Sequence, residues 1–279
     1  ESLRGVVRAP WVVMAHNVES LIWRRYCEIE TNPWKRWYIR GQWRKFERYE
    51  RGVFAETSQL IAVSDQDAAL ARDHFKAPRV QVVENGVDAS WFAPSEASRD
   101  PHSLLFLGSL DWRPNLDAVR RLLDDIFPQV LAAEPQSRLA IVGRKPPQWL
   151  ADRVRECRNV SLHGDVPDVR PFLHHCGAMA VPLRVGGGSR LKILESLAAE
   201  CPVVSTRVGA EGLCLVPDRH FMEVESVDGM TRALVQAIRH PHPIQEMARH
   251  GRQAVASRYD WSVLSRKLEA IWLEQRSSN

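Results

Sequence analysis

The sequence RVGGGSRLKILESLAAECPVV, residues 184–204, joins a glycine triplet to an amphipathic helical pattern and then to a short apolar strand. Backbone N–H groups at a helix start, made approachable by glycine, form a cradle for phosphate. Arg190 and Lys192 place positive charge in the first turn, where the helix dipole favours anions. Glu195 follows on the same helix, where it can accept hydrogen bonds from sugar hydroxyls. The stretch therefore predicts a site for a diphosphate that carries a ribose.

A simpler interpretation is a glycine-rich loop that only lets the helix pack closely on its sheet. That interpretation gives no role to the two cations and the carboxylate. We therefore expect ligand contacts from the loop and the helix start together, at Gly187, Gly188, Ser189, Arg190, Lys192 and Glu195.

Short apolar runs alternate with helical patterns along the rest of the chain. The predicted strands are 11–15, 60–63, 80–83, 104–107, 139–142, 160–162, 178–181 and 203–205. Continuously apolar strands separated by helices imply parallel sheets covered on both faces. The predicted fold class is α/β.

Residues 84–102 interrupt this alternation, because they are rich in Ser, Asp and Pro and carry no periodic apolar pattern. We predict a linker over 89–102. Residues 1–88 hold three predicted strands, too few for a complete doubly wound domain, and are interpreted as the back half of a Rossmann-like domain. Residues 103–279 can form a complete one.

Composition narrows the class of function. The chain has 279 residues and a net charge of +4, too weak to argue for nucleic acid as a partner. No apolar run approaches the ~18 residues of a membrane span, and no secretory signal is recognisable. The five scattered cysteines lack metal-ligand spacing and are typical of thiols in a reducing compartment, so we expect a cytoplasmic protein.

Residues 34–54 predict a long helix with two possible roles. On a period of 3.6 residues, five large apolar side chains gather on one arc, opposite a charged face: Trp34, Tyr38, Phe46, Tyr49 and Val53. The favoured interpretation is a core-facing aromatic stripe. The alternative is peripheral contact with anionic lipid, which basic and aromatic residues together also fit.

Polar residues follow several predicted strands, at the edge where α/β sheets bind ligands. His16 follows the first strand, and it either faces a ligand or caps the next helix. Glycines with basic or amide partners follow two later strands: Gly108 with Arg113 and Asn115, and Gly143 with Arg144. His163, Gly164 and Asp165 follow a further one. No nucleophile elbow, zinc spacing, Walker lysine or complete GxGxxG is present, so we expect no metal and no redox cofactor.

Several segments in order resemble retaining glycosyltransferases of family four. They are HNVE at 16–19, ENGVD at 84–88, FLGSLDWRPN at 106–115, IVGR at 141–144, HGDVPDV at 163–169, GGGSRLKILESLAAECPVVST at 186–206, VGAEGL at 208–213 and YDW at 259–261. The resemblance implies the GT-B fold and a hexosyltransferase that moves a sugar from a nucleoside diphosphate to a glycan or lipid-linked acceptor without metal. A noncatalytic nucleotide-sugar-binding module is the alternative, and an epimerase is disfavoured.

The resemblance also implies roles for individual residues. Glu195 stands at the second glutamate of the family's E-x7-E signature, which binds the donor ribose. Arg144 and a nearby lysine would hold the diphosphate, and His16 would lie near the transferred sugar. The family's last helices often cross back to the N-terminal domain, and residues 262–275 are candidates for this.

Three departures from the family pattern matter. The first glutamate of the signature falls at Gly187, which indicates a variant with the pattern G-G-G-x-R-L-K-x-L-E. The usual diphosphate lysine beyond Arg144 is missing, and Lys192 or Lys145 is expected to replace it. The front half of the N-terminal domain has no counterpart here, so we expect a fragment of a longer enzyme, with contact to the inner face of a membrane as a further expectation.

Overall fold

The computed structural model describes residues 10–185 and 190–277, with side chains up to residue 274. These residues form two compact units. The first contains the chain up to residue 85 and the residues from 262 onward, and the second contains most of residues 86–261. No helix in the described ranges is long and apolar enough to cross a bilayer.

The first unit has a three-stranded parallel sheet in the order β1-β2-β3. Its strands are β1 (Val12–Ala15), β2 (Gln59–Ala62) and β3 (Val80–Val82). The central strand is buried along its whole length, as its apolar sequence predicts. Its helices are α1 (Glu19–Ile29), α2 (Pro33–Glu56) and α3 (Asp65–Asp73).

Helices α1 and α2 form an antiparallel hairpin whose ends are set by hydrogen bonds from side chains. The Asn32 side chain accepts hydrogen bonds from the backbone N–H groups of Trp34 and Lys35 and so caps α2. At the start of α1 the cap comes from the other helix, because the Glu50 carboxylate accepts from the backbone N–H groups of Glu19 (2.6 Å) and Ser20 (3.2 Å). Burial raises the pKa of Glu50.

Only part of the aromatic arc of α2 packs against other residues. Phe46 stacks on Trp23 with ring centres 6.0 Å apart, and Val53 packs at the edge of a core cluster. Trp34, Tyr38 and Tyr49, however, are 81%, 55% and 53% exposed. The core-facing interpretation is therefore wrong for these three residues, because periodicity identifies a shared face but not what covers it.

The second unit has a six-stranded parallel sheet in the order β6-β5-β4-β7-β8-β9. The strands are β4 (Asp100–Leu107), β5 (Arg138–Gly143), β6 (Val160–Gly164), β7 (Cys176–Val181), β8 (Val203–Thr206) and β9 (Met222–Val224). Strand β9, a three-residue edge strand with a glutamate at its centre, is not among the predicted strands, because it is too short and too polar to give an apolar run. The chain leaves β4 for β5 on one side and returns to β7 on the other, so the sheet has a topological switch point between β4 and β7.

Helices cover this sheet. They are α4 (Arg113–Arg121), α5 (Phe127–Ala133), α6 (Gln148–Arg155), α7 (Arg170–His175), α8 (Leu191–Ala198), α9 (Arg207–Ala210), α10 (Val227–Arg239) and α11 (Pro241–Arg258). A π-helical turn, Leu122–Ile126, joins α4 to α5. The main core cluster lies between these helices and the sheet, with Phe106 and Ile141 fully buried.

Strand β4 begins four residues earlier than predicted, so the last residues of the predicted linker 89–102 belong to a strand. Arg99, just before this strand, donates hydrogen bonds to the backbone carbonyls of Leu173, Cys176 and Ala199. These contacts with distant segments hold the start of β4 in the sheet, and a reading of local composition could not show them.

The last helix, α12 (Trp261–Ser277), contributes to the core of the first unit. Leu264 and Ile271 are buried in a cluster with Ile61 of β2 and Val83. In addition, Lys267 Nζ lies 2.7 Å from a carboxylate oxygen of the buried Glu84. A helix from the C-terminal end of the chain thus packs against the three-stranded sheet and contributes to its core.

Candidate functional site

The candidate site lies at the carboxyl edge of the six-stranded sheet beside the switch point, and here the loops after β4 and β5 approach each other closely. The backbone N–H of Gly108 donates to the Val142 carbonyl at 3.0 Å. A Cβ atom added at Gly143 would lie 1.9 Å from the Gly108 carbonyl oxygen, far inside contact distance. Glycine at 143 is therefore required for these two loops to meet.

Lys192 of α8 reaches into this meeting point. Its Nζ donates to Asn115 Oδ1 at 2.7 Å and lies 4.7 Å from the centre of the Phe106 ring. A Cβ atom at Gly108 would lie 2.7 Å from the same Nζ. The structure therefore brings together three of the predicted site residues, Gly108, Asn115 and Lys192, from separate parts of the chain.

Asn115 is held in one orientation. It is buried in the first turn of α4, and its Nδ2 donates to the Ser109 carbonyl at 2.8 Å. Because the amide nitrogen is used in this way, the amide oxygen faces the ammonium of Lys192. Asn115 thus positions the lysine, a relation that the spacing in sequence did not reveal.

Burial changes the proton affinity of both ionisable groups on α8. Removal from solvent, together with the charge of Arg190, lowers the pKa of Lys192 to about 7, although Glu195 acts in the opposite direction. Burial also raises the pKa of Glu195, against the effect of Lys192. An anion placed beside Lys192 would favour its charged form, so this lysine suits a phosphate ligand.

The structure gives Arg190 a protein partner, and its expected contact with a ligand stays a prediction. Its side chain is only 4% exposed. Its Nη2 lies 3.5 Å from Glu211 Oε2, and its Nε donates to the Glu211 carbonyl. The guanidinium therefore ties the start of α8 to the VGAEGL segment, and it affects the site through its charge on Lys192.

The other predicted cations lie on the loops of the same sheet edge. Arg144 is exposed after β5, and its backbone carbonyl accepts from Leu110 N at 2.8 Å. Arg113 is exposed at the first residue of α4. Lys145 is also exposed, but its ammonium pairs with Asp111 at 3.2 Å. Of the two lysines proposed to hold a diphosphate, Lys145 is thus paired with a carboxylate, whereas burial lowers the pKa of Lys192.

Four predicted cradle residues, Gly186, Gly187, Gly188 and Ser189, lie outside the described residues. Their roles stay predictions. His163 is described, but it lies within β6, where its ring is 4.8 Å from that of Phe172. It faces a helix, so it is not part of the loop region where it was expected.

In the first unit, His16 follows β1 as predicted and is exposed. Its Nδ1 lies 3.3 Å from Asn85 Oδ1. Asn85 follows β3, and its Nδ2 is buried without a hydrogen-bond partner in the described part of the chain. Asn85 lies in the ENGVD motif but is not among the predicted site residues.

In the second unit, backbone hydrogen bonds join two of the motifs quoted above, ENGVD and YDW. The backbone N–H of Val87, in ENGVD, donates to the Tyr259 carbonyl, and the N–H of Trp261 donates to the Val87 carbonyl. The Tyr259 hydroxyl in turn accepts from Cys214 N at 2.7 Å. These residues have structural roles. Among the described residues, no group of three or more His, Cys, Asp or Glu side chains could hold a metal ion.

Comparison with known proteins identifies the family. The model for "Glycosyl transferases group 1" matches residues 101–240. A glycogen synthase of Mycobacterium tuberculosis is 27% identical over 205 residues, which cover 70% of this chain and 48% of that protein. A GDP-mannose-dependent monoacylated alpha-(1-6)-phosphatidylinositol monomannoside mannosyltransferase of Corynebacterium glutamicum is 25% identical over 241 residues, 79% of this chain and 63% of that protein.

The fold agrees with this result. Sucrose-phosphate synthase from Thermosynechococcus elongatus superposes with a TM-score of 0.79 at 17% identity, over 100% of this chain and 71% of that one. The predicted α/β fold of GT-B type is thereby confirmed. The chain spans about half the length of the glycogen synthase that it matches. The chain belongs to the group 1 glycosyltransferase family.

Proposed function

We propose that this chain carries the donor-binding part of a retaining glycosyltransferase. The enzyme would move a sugar from a nucleoside diphosphate to a glycan or lipid-linked acceptor. The observation that carries the proposal is the ammonium of Lys192, which Asn115 holds against Gly108 beside the switch point of the sheet. Of the relatives named above, the GDP-mannose-dependent mannosyltransferase supports this class of donor by its name.

The proposed chemistry rests on stabilising the leaving diphosphate. As the bond between the sugar and the diphosphate breaks, negative charge grows on the phosphate oxygens. Lys192, Arg144 and the N-terminal end of α8 would offset this charge. Because the pKa of Lys192 is about 7, an arriving diphosphate would draw a proton onto it and convert it to the charged form.

Glu195 would bind the ribose of the donor, one turn after Lys192 on α8. A carboxylate accepts hydrogen bonds from two neighbouring hydroxyl groups. Lys192 favours the ionised form of Glu195 against the effect of burial, so the lysine and the glutamate support each other's roles. His16, with its ring near Asn85, stays the proposed residue for the transferred sugar. The proposed reaction uses no metal and no cofactor besides the donor.

Calorimetry with UDP-, GDP- and ADP-sugars tests the site, with a matched pair of lysine variants. Lys192→Met should weaken donor binding about tenfold or more, since hydrogen bonds to charged groups contribute about 1.5–3 kcal/mol. Lys145→Met removes a neighbouring lysine that is paired with Asp111, and it should change affinity less than about twofold. Unchanged affinity in Lys192→Met would refute the proposed site.

A transfer assay with added glycan and lipid-linked acceptors tests the reaction itself. Glu195→Gln should lower transfer through weaker donor binding, whereas a protein that binds the donor without transfer or hydrolysis would be a noncatalytic module.

We also propose that Gly187, in place of the family's first glutamate, marks an active variant. Preserved turnover in the natural sequence would support this proposal.

A further inference from the structure

The first turns of α2 carry an exposed cluster of aromatic side chains. Trp34, Trp37 and Tyr38 are 81%, 75% and 55% exposed. They lie on one side of the helix, at the spacing i, i+3 and i+4. Large aromatic side chains are seldom left in water together unless the patch binds something. The same segment carries five basic residues, Lys35, Arg36, Arg40, Arg44 and Lys45. The three aromatic and five basic residues together are called the aromatic–basic surface.

The aromatic–basic surface occupies the free end of the α1–α2 hairpin. Helix α1 ends at Ile29, itself 41% exposed, and α2 begins at Pro33 after a short connection. The other end of the hairpin is anchored, since Val18 and Phe54 belong to a core cluster. Trp34 and Phe54 are twenty residues apart on one helix, a distance of about 30 Å. The hairpin therefore carries its aromatic end well away from the sheet that anchors it.

The charge of the segment selects among possible partners. Residues 33–46 contain five basic residues and no acidic one. The side chains of these five residues are all exposed. Two copies of such a surface would repel each other, so the charge disfavours self-association through it. An anionic partner with an apolar layer beneath its charges fits both the cations and the tryptophans.

We propose that the aromatic–basic surface docks on a bilayer that contains anionic lipid. Trp34 and Trp37 would lie at the level of the headgroups, where the apolar body and polar N–H of tryptophan are both satisfied. The surrounding lysines and arginines would contact lipid phosphates. This inference goes beyond the proposed sugar transfer and does not depend on it, because the docking needs neither donor nor acceptor.

Vesicle flotation tests the proposal on the full chain. The chain should float with vesicles of phosphatidylcholine mixed with phosphatidylglycerol, should float less at high salt, and should stay unbound with phosphatidylcholine alone. The double variant Trp34→Ser/Trp37→Ser should bind at least about tenfold more weakly, since docking scales with buried apolar area. The matched control Trp272→Ser removes a tryptophan that is 55% exposed on α12, and it should bind normally.

A charge series separates electrostatic docking from unspecific adhesion of tryptophan. Arg44→Gln/Lys45→Gln removes two exposed cations that lie two helical turns after Trp37 and Tyr38 on the same side of α2. This variant should lower affinity for the anionic vesicles about twenty-five-fold, because each cation near such a membrane contributes about fivefold. Arg232→Gln, at an exposed position on α10, is the control and should leave affinity unchanged. Brominated lipid should quench tryptophan emission of the natural chain, and this quenching should disappear in the double tryptophan variant.

Three results would overturn the proposal. The first is equal binding to neutral and anionic vesicles. The second is a double tryptophan variant that keeps its circular dichroism spectrum and still floats. The third is a dimer in sedimentation without lipid that the same variant abolishes, which would make the surface an interface between two copies.

Discussion

At the scale of single residues, the environment of Lys192 makes its charge sensitive to pH and to a bound anion. Its side chain is partly buried, and its ammonium donates to the neutral amide oxygen of Asn115. This arrangement lowers the pKa of the free lysine to about 7. A bound diphosphate, as proposed, would add negative charge beside Lys192 and raise that pKa again. Binding above pH 7 must therefore take up a proton.

Donor affinity should accordingly fall as the pH rises. With a free pKa of about 7, the charged fraction of Lys192 drops about fivefold between pH 7 and pH 8, and affinity should drop by the same factor. Calorimetry in buffers of different ionisation enthalpy measures the proton uptake directly. A nucleotide sugar is the right ligand, because its esterified diphosphate does not titrate in this range. A profile that is flat for the natural chain, or equal to that of Lys192→Met, would contradict the prediction.

Replacement of glycine by alanine should have opposite effects on stability at Gly143 and at Gly41. Gly143→Ala drives a Cβ atom to 1.9 Å from a backbone carbonyl, so it should destabilise the second unit by about 2 kcal/mol or more. Gly41→Ala meets nothing within 4 Å in the middle of α2, and it should stabilise the chain by roughly 0.5–1 kcal/mol. Urea unfolding midpoints of the two variants check both signs. Equal shifts would show that the close approach of the two loops does not constrain residue 143.

At the scale of elements, the hairpin depends on a cap that one helix supplies to the other. Val18 precedes α1 with an apolar side chain that cannot cap it, so Glu50 of α2 satisfies the backbone N–H groups of Glu19 and Ser20. This contact also fixes where the two helices meet. It couples the formation of α1 to the presence of α2.

Glu50→Ala should therefore destabilise the hairpin by about 1–3 kcal/mol, because it leaves buried N–H groups without an acceptor. Amide hydrogen exchange should report the loss first at Glu19 and Ser20. Glu50→Gln keeps an acceptor oxygen and should cost less. If the alanine variant exchanges no faster at these two amides, the cap does not hold α1 in place.

At the scale of the whole molecule, the last helix belongs to the unit formed by the start of the chain. Ile271 is 3% exposed among residues of the first sheet. Ile271→Ala should cost about 2–5 kcal/mol, the usual range for a buried isoleucine. Hydrogen exchange should then accelerate in β2 and β3 but not in β4 to β8. The matched variant Leu273→Ala, at a position 54% exposed on the same helix, should change stability within about 0.5 kcal/mol.

The sequence by itself determined the succession of strands β1 to β8 along the chain and the glycine and polar residues at their carboxyl ends. Continuous apolar runs such as residues 104–107 must be buried, and a parallel sheet is the structure that buries them on both faces. Because glycine and polar residues follow these runs directly, the sequence alone places Gly108 and Gly143 at the carboxyl edge of the sheet. The family resemblance added expected roles for Arg144 and Glu195.

Only the tertiary structure decided which cation is available and which aromatic face is covered. Arg190 and Lys192 are two residues apart and equal in charge, but Glu211, which pairs with the first, comes from another loop. Likewise, the arc of α2 has one period throughout, yet Phe46 finds a partner in Trp23 while Trp34 stays in water. Periodicity and charge are local properties, whereas burial and pairing depend on segments far away in sequence.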